Sequence, residues 1–142
     1  MPSNLDSLKA AYRDWNDIKG ASRHTWGALM ADEFQLSHVD EHSPGLEFAR
    51  DAITRDEALG YLAAIFDDWE MVHYTPEVFV GDGDAIAMFG KCAFTHKGTR
   101  QTAEMRMACL WRFSNGKAIS MSEVFDSAVA MRVAMGTDKQ AA

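Results

Sequence analysis

The main change in the spacing of apolar residues along this chain comes at Asp68, and that change limits the possible folds more than any other feature. Before Asp68 most apolar side chains recur every three or four residues, and from Asp68 onward they alternate with a period of two. Helices bury a stripe with a period of about 3.6 residues, whereas strands bury alternate residues. The order predicts an α+β fold, with helices before a meander of antiparallel strands, rather than a β-α-β fold.

Cap and turn signals divide the chain further. They predict helices over 5–18 and 22–31, a strand over 34–39, a loop over 40–52, and a third helix that begins after a capping box at Thr54. Turn-forming runs at 81–84, 96–99 and 114–116 then separate four strands, and Asp126 can cap a last helix that ends at Gly136. We expect a curved sheet wrapped around the N-terminal helices, with an apolar pocket at its mouth.

Composition indicates an ordinary globular domain. Of the 142 residues, 47% are apolar and 25% are charged, which excludes a disordered chain and a disulfide scaffold. We expect one domain over 1–142, with its core over about 5–135 and a frayed tail over 137–142.

The net charge and the two cysteines limit which partners and which compartment are expected. The net charge is −7 and the basic residues are scattered, so a phosphate backbone is repelled and no nucleic acid partner is expected. Uncharged runs are too short for a bilayer and the first residues do not form an export signal, so no membrane is expected either. Cys92 and Cys109 have apolar neighbours and no C-x-x-C spacing, which predicts buried reduced thiols and a cytoplasmic protein.

Four short segments carry a resemblance to a known family. They are Met30–Phe34, Gly81–Ala85, Trp111–Ile119 and Glu123–Asp126. Together with the element order over about 5–135, they resemble the SnoaL-like branch of the nuclear transport factor 2-like superfamily. The resemblance implies a cystatin-like α+β cone. That superfamily includes ketosteroid isomerase, scytalone dehydratase and polyketide cyclases, and also members without catalysis, so the fold alone leaves the function open.

An acid and a histidine form the first predicted site. His73 shares strand parity with Trp69 and Met71 and resembles the catalytic histidine of the dehydratase members. Asp17 matches the position of that histidine's carboxylate partner. A carboxylate bonded to one ring nitrogen raises the basicity of the other, which can then remove a proton from carbon. The alternative is a solvent-exposed Asp17 and a His73 bonded to backbone.

Two further residues are candidates for returning the proton. His38 lies at the end of the first strand, where isomerase-like members carry an aspartate base, although a solvated strand-end histidine is the alternative. Glu123 shares strand parity with Met121 and Phe125, so it should face the cone, where burial favours its protonated form. Its alternative role is a structural ion pair. Cys109 stands where the isomerase has a hydrogen-bonding acid, a function that a thiol cannot supply.

The remaining predictions concern the wall, the partners and the reaction. We expect Trp15, Trp69, Met121, Phe125 and Cys109 to contact a small hydrophobic molecule, whose class is polyketide-like or aromatic. Histidine and acid spacings predict no metal site, and no cofactor motif is present.

Two functions fit this pocket. The first is a cofactor-independent isomerase, dehydratase or cyclase, and the second is a non-catalytic ligand-binding or dimerisation module. An apolar patch on the outer sheet face predicts a homodimer, and its expected members are Ala87, Phe89, Ala93, Ala108 and Leu110.

Overall fold

The computed structural model describes residues 2–38, 46, 49–81 and 83–137. Within these ranges the helices are α1 (Asn4–Asp17), α2 (Arg23–Leu29), α3 (Arg55–Asp68) and α4 (Ser127–Ala134). The strands are β1 (Met30–His38), β2 (Trp69–Val80), β3 (Ala85–His96), β4 (Thr102–Ser114) and β5 (Lys117–Phe125). Most of the predicted loop over 40–52 and of the predicted tail lies outside the described residues.

Three predicted helix caps are formed. The side chains of Ser3, Thr54 and Asp126 each accept a hydrogen bond from the backbone N–H of the third residue of the helix that follows, α1, α3 and α4 respectively. Each bond satisfies a donor that the first helical turn leaves unpaired. The second helix is shorter than predicted, because the chain is already extended at Met30.

The five strands form one curled sheet in the order β1-β5-β4-β3-β2. The meander from β2 to β5 is antiparallel, as predicted. The first strand, however, pairs in parallel with β5, so the sheet is mixed rather than purely antiparallel. This pairing sets His38 directly opposite Glu123.

A bulge in β2 changes which residues face the helices. Met71 lies opposite Phe94 and His73 lies opposite Ala93, so Val72 is an additional residue in the ladder. Met71 is buried before the bulge and Tyr74 is buried after it. The bulge therefore turns Tyr74 inward at the place where strict alternation predicts His73.

Helices cover the concave face of the sheet, with α1 packed on β2, α3 on β1 and β2, and α4 on β4. The core between them is rich in aromatic rings. Trp26 stacks on Trp111 with ring centroids 5.4 Å apart, and Tyr12 stacks on Tyr74 at 5.7 Å. Of the helices in the described ranges, none is both long and apolar enough to cross a membrane.

Candidate functional site

A cavity of about 90 Å³ lies between the concave face of the sheet and the helices. Its volume is several times the roughly 10–15 Å³ that one water requires. The wall is mainly aromatic and aliphatic, with Tyr12 and Trp15 from α1, Trp26 from α2, and strand residues such as Trp69, Tyr74, Trp111 and Met121. Among the lining residues in the described part of the chain, His38 is the one histidine and Glu123 is the one carboxylate.

His38 and Glu123 lie side by side because β1 and β5 are paired. The Nε2 atom of His38 is 3.5 Å from Oε1 of Glu123, and the two side chains are 6% and 20% exposed. On the other side of the ring, Nδ1 is 3.0 Å from the carbonyl oxygen of Arg50. The backbone N–H of His38 donates to Oδ1 of Asp51. The imidazole is therefore held on both sides.

The Arg50 carbonyl determines where the protons of this pair reside. A carbonyl oxygen only accepts, so Nδ1 must carry a hydrogen and donate it. In neutral His38 the remaining nitrogen, Nε2, then has a lone pair that faces the Glu123 carboxylate. A favourable contact needs one proton between Nε2 and Oε1, which makes the pair either imidazolium and carboxylate or imidazole and carboxylic acid.

The surroundings of His38 favour its charged form. Burial lowers the pKa of His38, but the hydrogen bond and the charge of Glu123, together with the Arg50 carbonyl, outweigh it and raise the pKa above its usual 6.5. His38 thus holds a proton more readily than an exposed histidine does.

Tyr74 completes the contacts of the carboxylate. Its hydroxyl donates to Oε2 of Glu123 over 3.4 Å, and its backbone N–H donates to Oδ1 of Asn16 over 2.8 Å. The second bond ties the bulge of β2 to the last turn of α1. Burial and the charge of Glu123 raise the pKa of Tyr74 well above 10, so the hydroxyl keeps its proton.

A second series of hydrogen-bonded polar groups lies beside the cavity. The indole N–H of Trp111 donates to the Tyr12 hydroxyl over 3.0 Å, and that hydroxyl is 2.9 Å from Sγ of Cys109. Burial raises the pKa of Cys92 and of Cys109 to about 12, with a further contribution from Glu123. Both thiols are free and neutral, so neither is an activated nucleophile.

The expected pair of Asp17 and His73 is not formed. Asp17 is solvent-exposed at the end of α1, and the neighbouring Asn16 is the residue that reaches β2. His73 is half-buried and contacts the hydroxyl of Thr75 through Nδ1 at 3.0 Å. The bulge at Val72 is the physical reason, because it removes His73 from the parity of Trp69 and Met71.

Most of the predicted wall residues line the cavity. Trp15, Trp69, Met121 and Phe125 all do so. Cys109 faces inward but does not line the cavity, since it lies behind the Tyr12 hydroxyl, and Cys92 of β3 lines it instead.

Three residues of the site were not identified from the sequence. These are Tyr74, Asn16 and Arg50, of which the last acts through its backbone carbonyl. The only sequence signal for Tyr74 is its position beside His73, because a bulge in β2 exchanges the two. Among residues 2–38, 46, 49–81 and 83–137, no group of three or more His, Cys, Asp or Glu side chains is arranged to hold a metal ion.

Solved structures with the same fold have low sequence identity to this chain. An NTF2-like protein of unknown function from Burkholderia pseudomallei K96243 is 20% identical with a TM-score of 0.78, over 94% of this chain and 98% of its own. TerC, co-crystallised with polyporic acid, is 18% identical with a TM-score of 0.76, over 93% and 98%. A protein of ketosteroid isomerase-like fold from Catenulispora acidiphila DSM 44928, in complex with trimethylamine, is 15% identical with a TM-score of 0.73, over 92% of both chains.

These likenesses establish the fold and leave the activity open. A comparison with curated proteins finds no match. The family model described as the SnoaL-like domain matches residues 9–121. The match covers most of the chain, which therefore belongs to the SnoaL-like domain family.

Proposed function

We propose that this protein catalyses proton transfer on a small, hydrophobic, uncharged molecule without a cofactor. The observation that carries the proposal is the contact between His38 and Glu123 in the wall of an apolar cavity. Two groups that compete for one proton in a low-dielectric site are suited to take a proton from carbon and return it.

The exposure of the two side chains supports a different role for each. Glu123 is 20% exposed, whereas His38 is 6% exposed and bonded to the Arg50 carbonyl. Glu123 is therefore the group that meets the substrate. His38 is a positioning residue, which holds the Glu123 carboxylate through Nε2.

In the first step, a proton leaves a carbon next to a carbonyl group of the substrate. A carboxylate oxygen of Glu123 takes the proton, and the C–H electron pair forms a C=C bond as the C=O pair moves onto oxygen. The enolate C=O then re-forms as its C=C pair bonds to a proton at another carbon, expels a hydroxyl group or attacks a second carbonyl carbon. The carboxylic acid of Glu123 gives its proton to that carbon, to the leaving hydroxyl or to the oxygen of the attacked carbonyl, respectively. Isomerisation, dehydration and cyclisation share this first step, and a low dielectric strengthens each of these charge interactions.

The reaction class expected from the sequence is retained here, but its residues change. The sequence assigned proton removal to His73, orientation to Asp17 and proton return to Glu123 or His38. The positions of Asp17 and His73 support neither role, whereas the contact between Glu123 and His38 supports proton removal and return by Glu123, with His38 positioning it. The organic ligand in TerC, polyporic acid, further supports a small organic molecule as the substrate.

A model ketone tests the proposal. We would incubate the protein with 3-cyclohexen-1-one in D₂O and follow, by NMR, deuterium incorporation at C2 and formation of 2-cyclohexen-1-one. We expect Glu123→Gln to lower the exchange rate about 10²–10⁴-fold, with Asp17→Asn and His73→Gln unchanged as carboxylate and histidine controls. Equal rates in wild type and Glu123→Gln would contradict the proposal and leave the binding module as the remaining function.

We also propose that two copies associate through the outer face of the sheet. Phe89, Leu110, Val78 and Val124 are 37–50% exposed on the strands of this face. Glu77 lies among them and is 3.3 Å from Arg106 and 3.9 Å from Lys91, so both signs of charge are present for a symmetric contact. Ala93, a member of the expected patch, is buried where it pairs with the bulge.

A further inference from the structure

We infer that the cavity also binds compact organic ammonium ions, which act as the counter-charge of Glu123 in place of the proton on His38. The inference concerns binding rather than reaction, so it does not depend on the proposed catalysis.

The first support is the composition of the wall. Seven tryptophan and tyrosine side chains line a cavity of about 90 Å³, and they are Tyr12, Trp15, Trp26, Tyr61, Trp69, Tyr74 and Trp111. The faces of such rings carry negative charge and attract cations that lie within about 6 Å of the ring centre. A cation in a cavity of this size lies near several rings at once. No lysine or arginine occurs among the lining residues in the described part of the chain.

The second support is the carboxylate. Glu123 lines the same cavity and its side chain is one-fifth exposed, so a ligand in the cavity lies beside this side chain. The groups that face it from the packed elements are His38 of β1, Tyr12 of α1, Tyr74 of β2, Cys92 of β3 and Cys109 of β4. Both tyrosines and both thiols stay neutral in the physiological range, because burial raises the pKa of each. His38 is then the one of these five groups that changes charge there.

Competition between the proton and the cation follows from this arrangement. Protonated His38 already balances the charge of Glu123 and repels a second cation. When His38 is neutral, the carboxylate has no cationic partner among those five groups, and an ammonium ion supplies one. Affinity for the cation must therefore rise as the pH passes above the pKa of His38, and binding must lower that pKa in return.

Choline and 3,3-dimethylbutan-1-ol provide a matched pair of probes, since they differ in a quaternary nitrogen against a quaternary carbon. We would measure the binding of each to the full chain by titration calorimetry at pH 6.0 and pH 8.5. At pH 8.5 we expect choline to bind about tenfold more tightly than the alcohol, and about tenfold more tightly than choline does at pH 6.0. The alcohol should show no dependence on pH.

Two variants separate the carboxylate from the general charge of the protein. Glu123→Gln should lower choline affinity at pH 8.5 about tenfold, and circular dichroism checks that it folds. Glu77→Gln removes an equal charge from the outer face and should leave choline affinity unchanged. A second readout needs no variant: saturating choline should lower the NMR titration midpoint of His38 in the wild-type protein.

The inference is overturned if the alcohol binds as tightly as choline, if choline affinity is the same at both pH values, or if Glu123→Gln binds choline like wild type. None of these results bears on deuterium exchange into 3-cyclohexen-1-one. Conversely, choline binding without exchange would contradict the proposed reaction and leave this inference in place.

Discussion

Replacement of Glu123 by Gln should destabilise the protein in a pH-dependent manner. The amide has nearly the shape of the carboxylate but lacks its charge, so the change removes the counter-charge of His38 and little else. The folded-state pKa of His38 is raised above 6.5. Its protonation therefore stabilises the fold fully below pH 6.5, and this contribution disappears as the pH rises through the folded-state value. The deficit of Glu123→Gln should be largest at low pH.

The geometry of the contact between His38 and Glu123 determines how much unfolding free energy the substitution removes. Charge-assisted hydrogen bonds contribute about 1.5–3 kcal/mol, and the 3.5 Å separation with one-fifth exposure of Glu123 places this one near the lower end. We expect a loss of about 1–2 kcal/mol at pH 6 and of about 0.5 kcal/mol or less at pH 9. For a chain of this size the loss at pH 6 is equivalent to a fall in Tm of about 3–8 °C.

Urea unfolding monitored by tryptophan fluorescence at pH 6 and pH 9 measures both values. Glu33→Gln is the matched control, because Glu33 is exposed on β1 outside the proposed dimer face and its substitution should change stability by less than about 0.5 kcal/mol at either pH. Equal destabilisation of Glu123→Gln at the two pH values would refute the reasoning, since the pair would then contribute nothing through charge.

Three further predictions follow from other parts of the structure. Tyr12→Phe should lower the free energy of unfolding by about 1–3 kcal/mol, because the Trp111 N–H loses its buried acceptor; unchanged stability in urea unfolding would contradict this. Cys92 and Cys109 should resist a thiol reagent in the native protein and react on unfolding, since burial raises the pKa of each to about 12; rapid labelling of the native protein would contradict it. Phe89→Glu with Leu110→Glu should convert a dimer to a folded monomer in light scattering, and an unchanged mass would exclude this face as the interface.

The sequence predicted the elements well because their signals are local. The caps at Ser3, Thr54 and Asp126 depend on side chains a few residues away, and the turns between strands depend on adjacent residues. Inward-facing positions of β4, such as Met107 and Trp111, follow from strict alternation, which this strand obeys over most of its length. Local chemistry was sufficient in these cases.

The site was harder to predict because two non-local features determine it. The bulge at Val72 exchanges His73 for Tyr74, and a bulge leaves no clear mark in the alternation of apolar residues. The parallel pairing of β1 with β5 brings His38 to Glu123 across 85 positions of sequence. Strand parity placed Glu123 on the inner face and left His38 facing either the pocket or the sheet edge, and it could not indicate that the two are neighbours.

The titration of His38, followed by NMR of its imidazole, tests the central claim most directly. If His38 and Glu123 hold one proton between them, the wild-type midpoint lies above 6.5 and falls in Glu123→Gln, where the carboxylate no longer opposes burial. The neutral ring should carry its hydrogen on Nδ1, facing the Arg50 carbonyl. An identical midpoint in both proteins, or a hydrogen on Nε2 in the neutral form, would contradict the account.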